Sequence, residues 1–416
     1  MRAPAAALDL LADPRTARVL SALDGDGEET RIVGGALRNA LMHVAHADVD
    51  FATTADPHVV VARAQAAGLK AVPTGIDHGT ITIVADGAPF EVTTLREDVE
   101  TDGRRALVRY GRDFDADARR RDFTMNALSL SADGELHDPV GGLPDLEARR
   151  VRFIGDPRAR IAEDYLRILR FFRFHAAYGE GPFDEEGLAA AIELRAGLAQ
   201  LSRERIRAEL LKLLVARRAA EAVEEIGWDA GLVEPLIAGA PYPARLAALA
   251  RIETALGLEA DAVLRLAAMA VLVAEDAARL RDYLRLSNAE SDRLDAAARA
   301  LVALHGRETP PAHGDLRHLA FEHGQRAARD AMLLAHAESR APADDAHWLG
   351  AHAFLRDTPP PRLPFSGADL VARGLKPGSH IGRTLKDLQA RWIRAGFPRD
   401  VHELARLLDE ALEKTR

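Results

Sequence analysis

The sequence contains no cysteine, which excludes disulfides and cysteine-ligated zinc and fits a reducing compartment. Aromatic residues are scarce at 5%, against 48% hydrophobic and 29% charged. With alanine, leucine and arginine dominant, that balance favours helix over sheet for most of the length. No apolar stretch is long enough to span a membrane. The opening residues, interrupted by Asp9 and Asp13, read as a short helix rather than a signal peptide, so a cytosolic location is expected. An overall excess of positive charge is also missing. The formal net charge of -9 argues against polyanion binding by bulk charge, but local basic surfaces matter more. Such surfaces exist at Arg104-Arg105, at Arg119-Arg120-Arg121, and at Arg149, Arg150 and Arg152. From Arg362 to Arg416 there are 11 Lys and Arg against 7 Asp and Glu.

At 416 residues the chain is too long for one compact core, and several domains are expected. In the first third, RIVGG, TITIVADG, FEVTTLR, ALSLSADG and VRFIGDP are short β-rich runs closed by Gly, Asp or Pro. Helical patterns such as ALRNALMHV and PHVVVARAQAAGL lie between them, which predicts an α+β domain. From about Arg158 onward the strand signals nearly vanish and amphipathic helical spacing takes over. Loop signals at GAPYP (239–243), RETPP (307–311) and DTPPPRLP (357–364) punctuate this helical array.

Four elements of the N-terminal part carry chemistry. Gly34-Gly35-Ala-Leu-Arg38-Asn39 follows an apolar run and opens a helix, where glycine lets backbone approach a ligand and free amides favour phosphate. A tight turn is the bland alternative. Asp48-Val-Asp50 then offers two carboxylates which, on a strand, share one face. Hard Mg²⁺ prefers one or two such groups plus substrate phosphate oxygens. Glu91, on a third strand, is a possible companion or a rim residue with a structural partner. In Arg120-Arg121-Asp122-Phe123, Arg121 could reach a nucleotide while Asp122 orders the loop, or both could simply cap a helix start.

The fourth element is Glu163-Asp164-Tyr-Leu-Arg167-Ile-Leu-Arg170-Phe-Phe-Arg173. Read as one helix, its spacing of three places Asp164, Arg167, Arg170 and Arg173 on one face. A cytosine or adenine edge offers an amino donor beside a ring-nitrogen acceptor, so an adjacent Asp and Arg can pair with either base. Guanine and uracil present a carbonyl there and are misfits, which a site built on hydrogen bonds rejects. The remaining arginines could hold a triphosphate. Alone, the run reads first as a solvated, ion-paired face. In this order the four elements suit nucleotidyl transfer: in-line attack of an RNA 3′-hydroxyl on an α-phosphate, with two Mg²⁺ ions and pyrophosphate as leaving group.

These motifs resemble those of the class II CCA-adding tRNA nucleotidyltransferases, a polymerase β-like family. The resemblance is strongest from Ile32 to about Phe174 and also rests on His78-Gly-Thr-Ile-Thr, Glu91-Val-Thr-Thr-Leu-Arg96, Thr101-Asp102-Gly103-Arg104 and Asp138-Pro139-Val-Gly-Gly142. Beyond Phe174 it is looser, at Arg203-Glu204-Arg205 and at Pro377-Gly378-Ser-His-Ile-Gly382. It implies a nucleotidyltransferase head at 1–155, a helical neck carrying the base-reading helix at 156–235, a helical body at 236–358 and a tRNA-binding tail at 359–416.

By that resemblance, Asp48 and Asp50 hold the metals, and Gly35, Arg38 and Arg121 contact the nucleotide. Asp164 and Arg167 act as the protein template, with Arg170 and Arg173 beside the nucleotide. The substrates would be CTP, ATP and tRNA, held through its acceptor and TΨC stems by tail residues such as Lys376, Arg383, Lys386 and Arg391. The segment Arg96 to Arg120 matches the family's flexible loop for switching to ATP. Asn39 departs from the Asp often found there, which puts an ion pair at that point in doubt.

The alternatives are a poly(A) polymerase, an A-adding or CC-adding specialist, and a catalytically silent RNA-binding homologue. A His-Asp phosphohydrolase is disfavoured because His137-Asp138 lies inside a nucleotidyltransferase motif.

Overall fold

Nine short strands lie in the first 137 residues, and everything after them is helix and loop among the described residues. A computed structural model describes residues 1–44, 48–76, 79–102, 105–228, 231–376, 378 and 380–413; for 97–102, 105–109 and 227–228 it describes backbone alone. His78, Gly103, Arg104, Pro377 and Ser379 of the motifs above therefore lie outside the described residues or side chains.

The strands are Thr30–Val33 (β1), Asp50–Thr53 (β2), Lys70–Gly75 (β3), Thr80–Ala85 (β4), Ala88–Thr94 (β5), Arg96–Asp102 (β6), Arg105–Tyr110 (β7), Ser129–Ser131 (β8) and Leu136–His137 (β9). Seven of them form one mixed sheet in the order β3-β4-β5-β2-β1-β8-β9. β2 sits in its middle, antiparallel to β1 and parallel to β5. The alternation predicted from TITIVA holds in β4, whose Ile81 and Ile83 are buried while Thr80 and Thr82 are partly exposed. The remaining two strands, β6 and β7, make a separate antiparallel ribbon. The segment expected to be a flexible loop thus begins as a hairpin and ends in the helix Phe114–Arg119.

VRFIGDP does not form the expected strand. Its backbone makes one isolated bridge, Phe153 to Phe123. Asp145, fully buried, ties down both Arg150 and Arg152, Gly155 takes a left-handed turn at φ +71°, and Pro157 starts the next helix. The apolar alternation of Val151 and Phe153 serves core packing instead. Phe123, Phe153, Phe171, Phe172, Phe174 and Phe183 form one ring cluster with centroids 5.0–6.3 Å apart. Burying each such ring stabilises by roughly 1.5–3 kcal/mol. The few aromatics are thus concentrated where the Arg121 segment and the helix Leu166–Tyr178 are fastened together.

The described residues divide into two compact units, residues 1–202 with 216–218, and residues 203–215 with 219–416. The second is all-helical among its described residues. Its ion pairs include the buried Arg265–Glu253 at 2.8 Å and the part-buried Arg293–Asp330 at 2.7 Å, and the buried Trp348 ring stacks on His336 with centroids 4.7 Å apart. Near its end, Leu388, Trp392, Phe397, Leu408 and Leu412 form a separate apolar core under the helices His380–Arg394 and Val401–Glu413.

Candidate active site

Strand pairing brings two acidic residues together, and the chain just before one of the strands adds a third. Asp50 opens β2 and lies opposite Glu91 of β5 in register. Asp48 stands two residues before Asp50, outside the paired strand. Burial, and then the charges of Glu91 and Asp48, push the Asp50 carboxyl up to about 6, while Arg121 pulls it down. That pattern places four charged side chains within electrostatic reach of one point. Among the described residues no group of three or more His, Asp or Glu is arranged as a ready metal site.

Val33, the last residue of β1, pairs with Asp50 on the other side. Gly34 follows it with φ +75° and ψ −140°, a conformation that only glycine adopts without strain. A Cβ at Gly34 would sit 3.6 Å from Asp50 Oδ2. The double-glycine turn therefore lies against the acidic pair, with Gly35 opening the helix Gly35–Leu41.

Arg38, on that helix, is 6% exposed. Its Nη1 donates to Asn126 Oδ1 at 2.7 Å and its Nη2 to the Tyr178 hydroxyl at 2.7 Å and to Asn39 Oδ1 at 2.8 Å. Its guanidinium lies 4.0 Å from the Tyr178 ring centroid. Burial holds its pKa below the usual arginine range. Asn39 thus supplies a neutral acceptor to its neighbour, and Arg38 itself is built into the core rather than left on the surface.

The Arg120-Arg121-Asp122 segment is fixed from several sides. Buried Asp117 accepts from Arg121 Nε at 3.2 Å and Nη2 at 3.0 Å, and from Arg120 Nε at 2.8 Å. Asp122, 8% exposed, accepts from Arg170 Nε at 2.7 Å and Asn126 Nδ2 at 3.1 Å. Burial acts to raise the Asp122 carboxyl, but the Arg170 charge and these hydrogen bonds leave it below the usual carboxylate range. Asp122 orders this loop, and Arg170 helps it do so.

The run from Glu163 to Arg173 is not the single helix expected. One helix, Pro157–Glu163, ends at Asp164, whose backbone is extended (φ −155°, ψ 105°), and a second runs Leu166–Tyr178. The Asp164 carboxylate accepts from the Leu166 N–H at 3.1 Å, which satisfies one of the free amides at a helix start. Arg167, Arg170 and Arg173 keep their spacing of three, but Asp164 sits at the break before them.

Glu163 gains a role that its sequence position did not reveal. Its Oε2 accepts from Arg167 Nη1 and from Arg160 Nη1, both at 2.5 Å. Burial acts to raise this carboxyl, but the two arginines hold it below the usual range. Arg173 lies 4.4 Å and Arg170 5.4 Å from the Phe174 ring centroid.

Asp138, the candidate for His-Asp chemistry, accepts from the Gly142 and Leu143 amides at 2.7 and 2.9 Å, and so holds a turn. Of the proposed tail contacts, Lys376, Arg383 and Lys386 are exposed, whereas Arg391 is tied to Asp387 at 2.7 Å and Glu410 at 3.3 Å.

Residues 30–152 match the family model described as the poly A polymerase head domain, and residues 182–242 match one described as a probable RNA and SrmB-binding site of polymerase A. The mitochondrial CCA tRNA nucleotidyltransferase 1 of Mus musculus is 34% identical over 391 residues, covering 91% of this chain and 86% of that protein. The chain belongs to the CCA-adding tRNA nucleotidyltransferase family. The CCA-adding enzyme of Limosilactobacillus fermentum is 31% identical over 404 residues, covering 95% and 96%.

The fold agrees with this membership. The Bacillus stearothermophilus CCA-adding enzyme in complex with CTP aligns with a TM-score of 0.72 at 24% identity over 99% of each chain. The Thermotoga maritima CCA-adding enzyme complexed with tRNA aligns with a TM-score of 0.70 at 19% identity, covering 99% of this chain and 98% of that one.

Proposed function

We propose that the protein adds and repairs the 3′-terminal CCA of tRNA from CTP and ATP, without a nucleic-acid template. The observation that carries this reading is the crowding of Asp48, Asp50 and Glu91 beside the Gly34 turn, with Arg121 acting on the same carboxylate. A nucleotide triphosphate laid against that turn has its charge facing arginine and its α-phosphate near the acidic strand. The primer 3′-hydroxyl attacks that phosphorus, a new phosphodiester forms, and pyrophosphate leaves.

The carboxylate set fits a hard divalent cation, because a cation relieves the mutual repulsion that raises Asp50. Asp48 and Asp50 would hold Mg²⁺ together with substrate phosphate oxygens, with Glu91 opposite Asp50 as a neighbouring charge, and the ion would supply charge stabilisation at the reacting phosphate. Gly35 lets main chain approach the phosphates. Arg121, fixed by Asp117, presents its guanidinium at a set position. Arg38 acts mainly by holding Asn126 and the helix end at Tyr178, and so shapes the pocket rather than reaching into it.

In this reading Asp164 supplies an acceptor and Arg167 the donors that complement a cytosine or adenine edge, with the Arg167 guanidinium exchanging part of its bonds to Glu163 and the Arg160 carbonyl for the base. Arg170 and Arg173 add positive charge next to them. Within this reading, residues 1–155 are the catalytic head, 156–235 the neck, 236–358 the body and 359–416 a tail that contacts tRNA, with Lys376, Arg383 and Lys386 as its accessible cations. A cytosolic setting belongs to the same proposal; among the described residues no helix is long and apolar enough to cross a membrane.

Because the head matches a model named for poly A polymerase, that activity is the reading to test against. Incubating the protein with tRNA lacking CCA, together with CTP and ATP, separates the two. Growth that stops at CCA supports the proposal, and long adenosine tails refute it. Addition of C alone or A alone identifies a specialist.

A further inference from the structure

Arg160 belongs to none of the motifs that sequence reading singles out, yet it touches both arms of the site. It lies on the helix Pro157–Glu163, and its side chain is 12% exposed. Its Nη2 donates to the main-chain carbonyls of Arg120 and of Arg121, the latter at 2.5 Å. Arg120 caps the C-terminus of the helix Phe114–Arg119, so Arg160 supplies a cation to carbonyls that the helix end leaves without partners. Its Nη1 donates to Glu163 Oε2, the oxygen that also accepts from Arg167 Nη1. Arg167 closes the loop by donating to the Arg160 carbonyl at 2.7 Å.

We infer that Arg160 is a positioning residue that locks the base-reading Arg167 to the Arg120-Arg121 segment, so that base selection and triphosphate binding depend on one another. This rests on the nucleotide-addition reading above. The geometry favours a shared link over an ordinary surface ion pair. The guanidinium bridges two carbonyls about forty residues away in sequence and one carboxylate nearby. A rigid fork can make those contacts together, whereas an ammonium on a flexible stem cannot hold all three. If the fork is lost, the Arg121 carbonyl loses that donor, the Arg120 carbonyl keeps only the longer contact from Arg167 Nη2 at 3.5 Å, and Glu163 is left holding Arg167 alone. Both the position of Arg121 and the setting of Arg167 then loosen at once.

The test is steady-state addition by full-length Arg160→Met and Arg160→Lys on tRNA lacking CCA, with CTP, ATP, UTP and GTP supplied singly, alongside thermal melts. Misplacement of positioning groups of this kind costs on the order of tenfold to a hundredfold. Arg160→Met is expected to raise KM for CTP and ATP about tenfold and to lower discrimination against UTP and GTP by a similar factor, more than kcat falls, and Arg160→Lys should rescue only part of this. If Arg160→Met lowers only Tm and the amount of active enzyme, with KM and discrimination unchanged, the inference is overturned. Should Arg160→Met fail to fold, Glu163→Ala cuts the same link on its other side. Wild-type discrimination in Glu163→Ala would also overturn the inference. Wild-type protein that adds no C or A would refute the functional reading instead, which keeps the two failures apart.

Discussion

Asp50 is a carboxylate whose fold works against its own charge. Burial, then the neighbouring Glu91 and Asp48, raise its pKa to about 6, with only the Arg121 charge pulling the other way among the causes resolved for the described residues. A group kept in so unfavourable a place is better explained by chemistry than by stability. Asp50→Asn keeps the shape and removes the repulsion. It is expected to melt no lower than wild type while nucleotide addition falls by on the order of a thousandfold, as loss of a metal-holding group should give. Activity within tenfold of wild type would remove Asp50 from the reaction. Arg38 behaves in the opposite way. It is buried among neutral acceptors and beside the Tyr178 ring, surroundings that its place after a double-glycine turn did not foretell.

At the scale of elements, the acidic strand, the glycine turn and β4 were legible because each has a local signature: alternation, a φ that needs glycine, or a short polar–apolar motif. The break at Asp164 was not. A spacing of three continues across it, and only the preference of Asp for capping a new helix hints that the chain stops and restarts. Arg160 was missed because its main partners are backbone carbonyls, which carry no residue identity. VRFIGDP misled because alternation that fits a strand also fits an apolar run packed against Phe123 and Phe171.

Gly197 packs closely against the helix break. A Cβ at that position would overlap the Tyr165 ring, directly after Asp164. Gly197→Ala should therefore displace Tyr165, cost about 1–3 kcal/mol of stability, and weaken base discrimination along with it. A melt and a misincorporation assay on this variant check both parts. Unchanged values in both would show that the break does not need this close approach.

Over the whole molecule, each compact unit buries a histidine as the neutral imidazole. Burial, with Arg218 nearby, lowers His175 from 6.5 to about 4, and burial, then His336 and Arg329, lower His352 from 6.5 to about 3. Below 6.5 the unfolded chain takes up protons that the folded chain refuses, so stability is full above that pH and falls as pH drops toward 4 and 3. The loss is up to about 1.4 kcal/mol per pH unit for each group. Melts between pH 7.5 and 5 should decline, and His352→Gln should flatten that slope; a slope untouched by the substitution would assign it to other groups.

In the proposed function, protein side chains, rather than a nucleic-acid template, read the incoming base through Asp164 and Arg167. The most direct measurement is single-nucleotide addition to tRNA lacking CCA by Arg167→Ala, with each of the four nucleotides supplied separately. Preference for CTP and ATP over UTP and GTP is expected to collapse by at least about tenfold while some addition persists. Undiminished selectivity in that variant would contradict it.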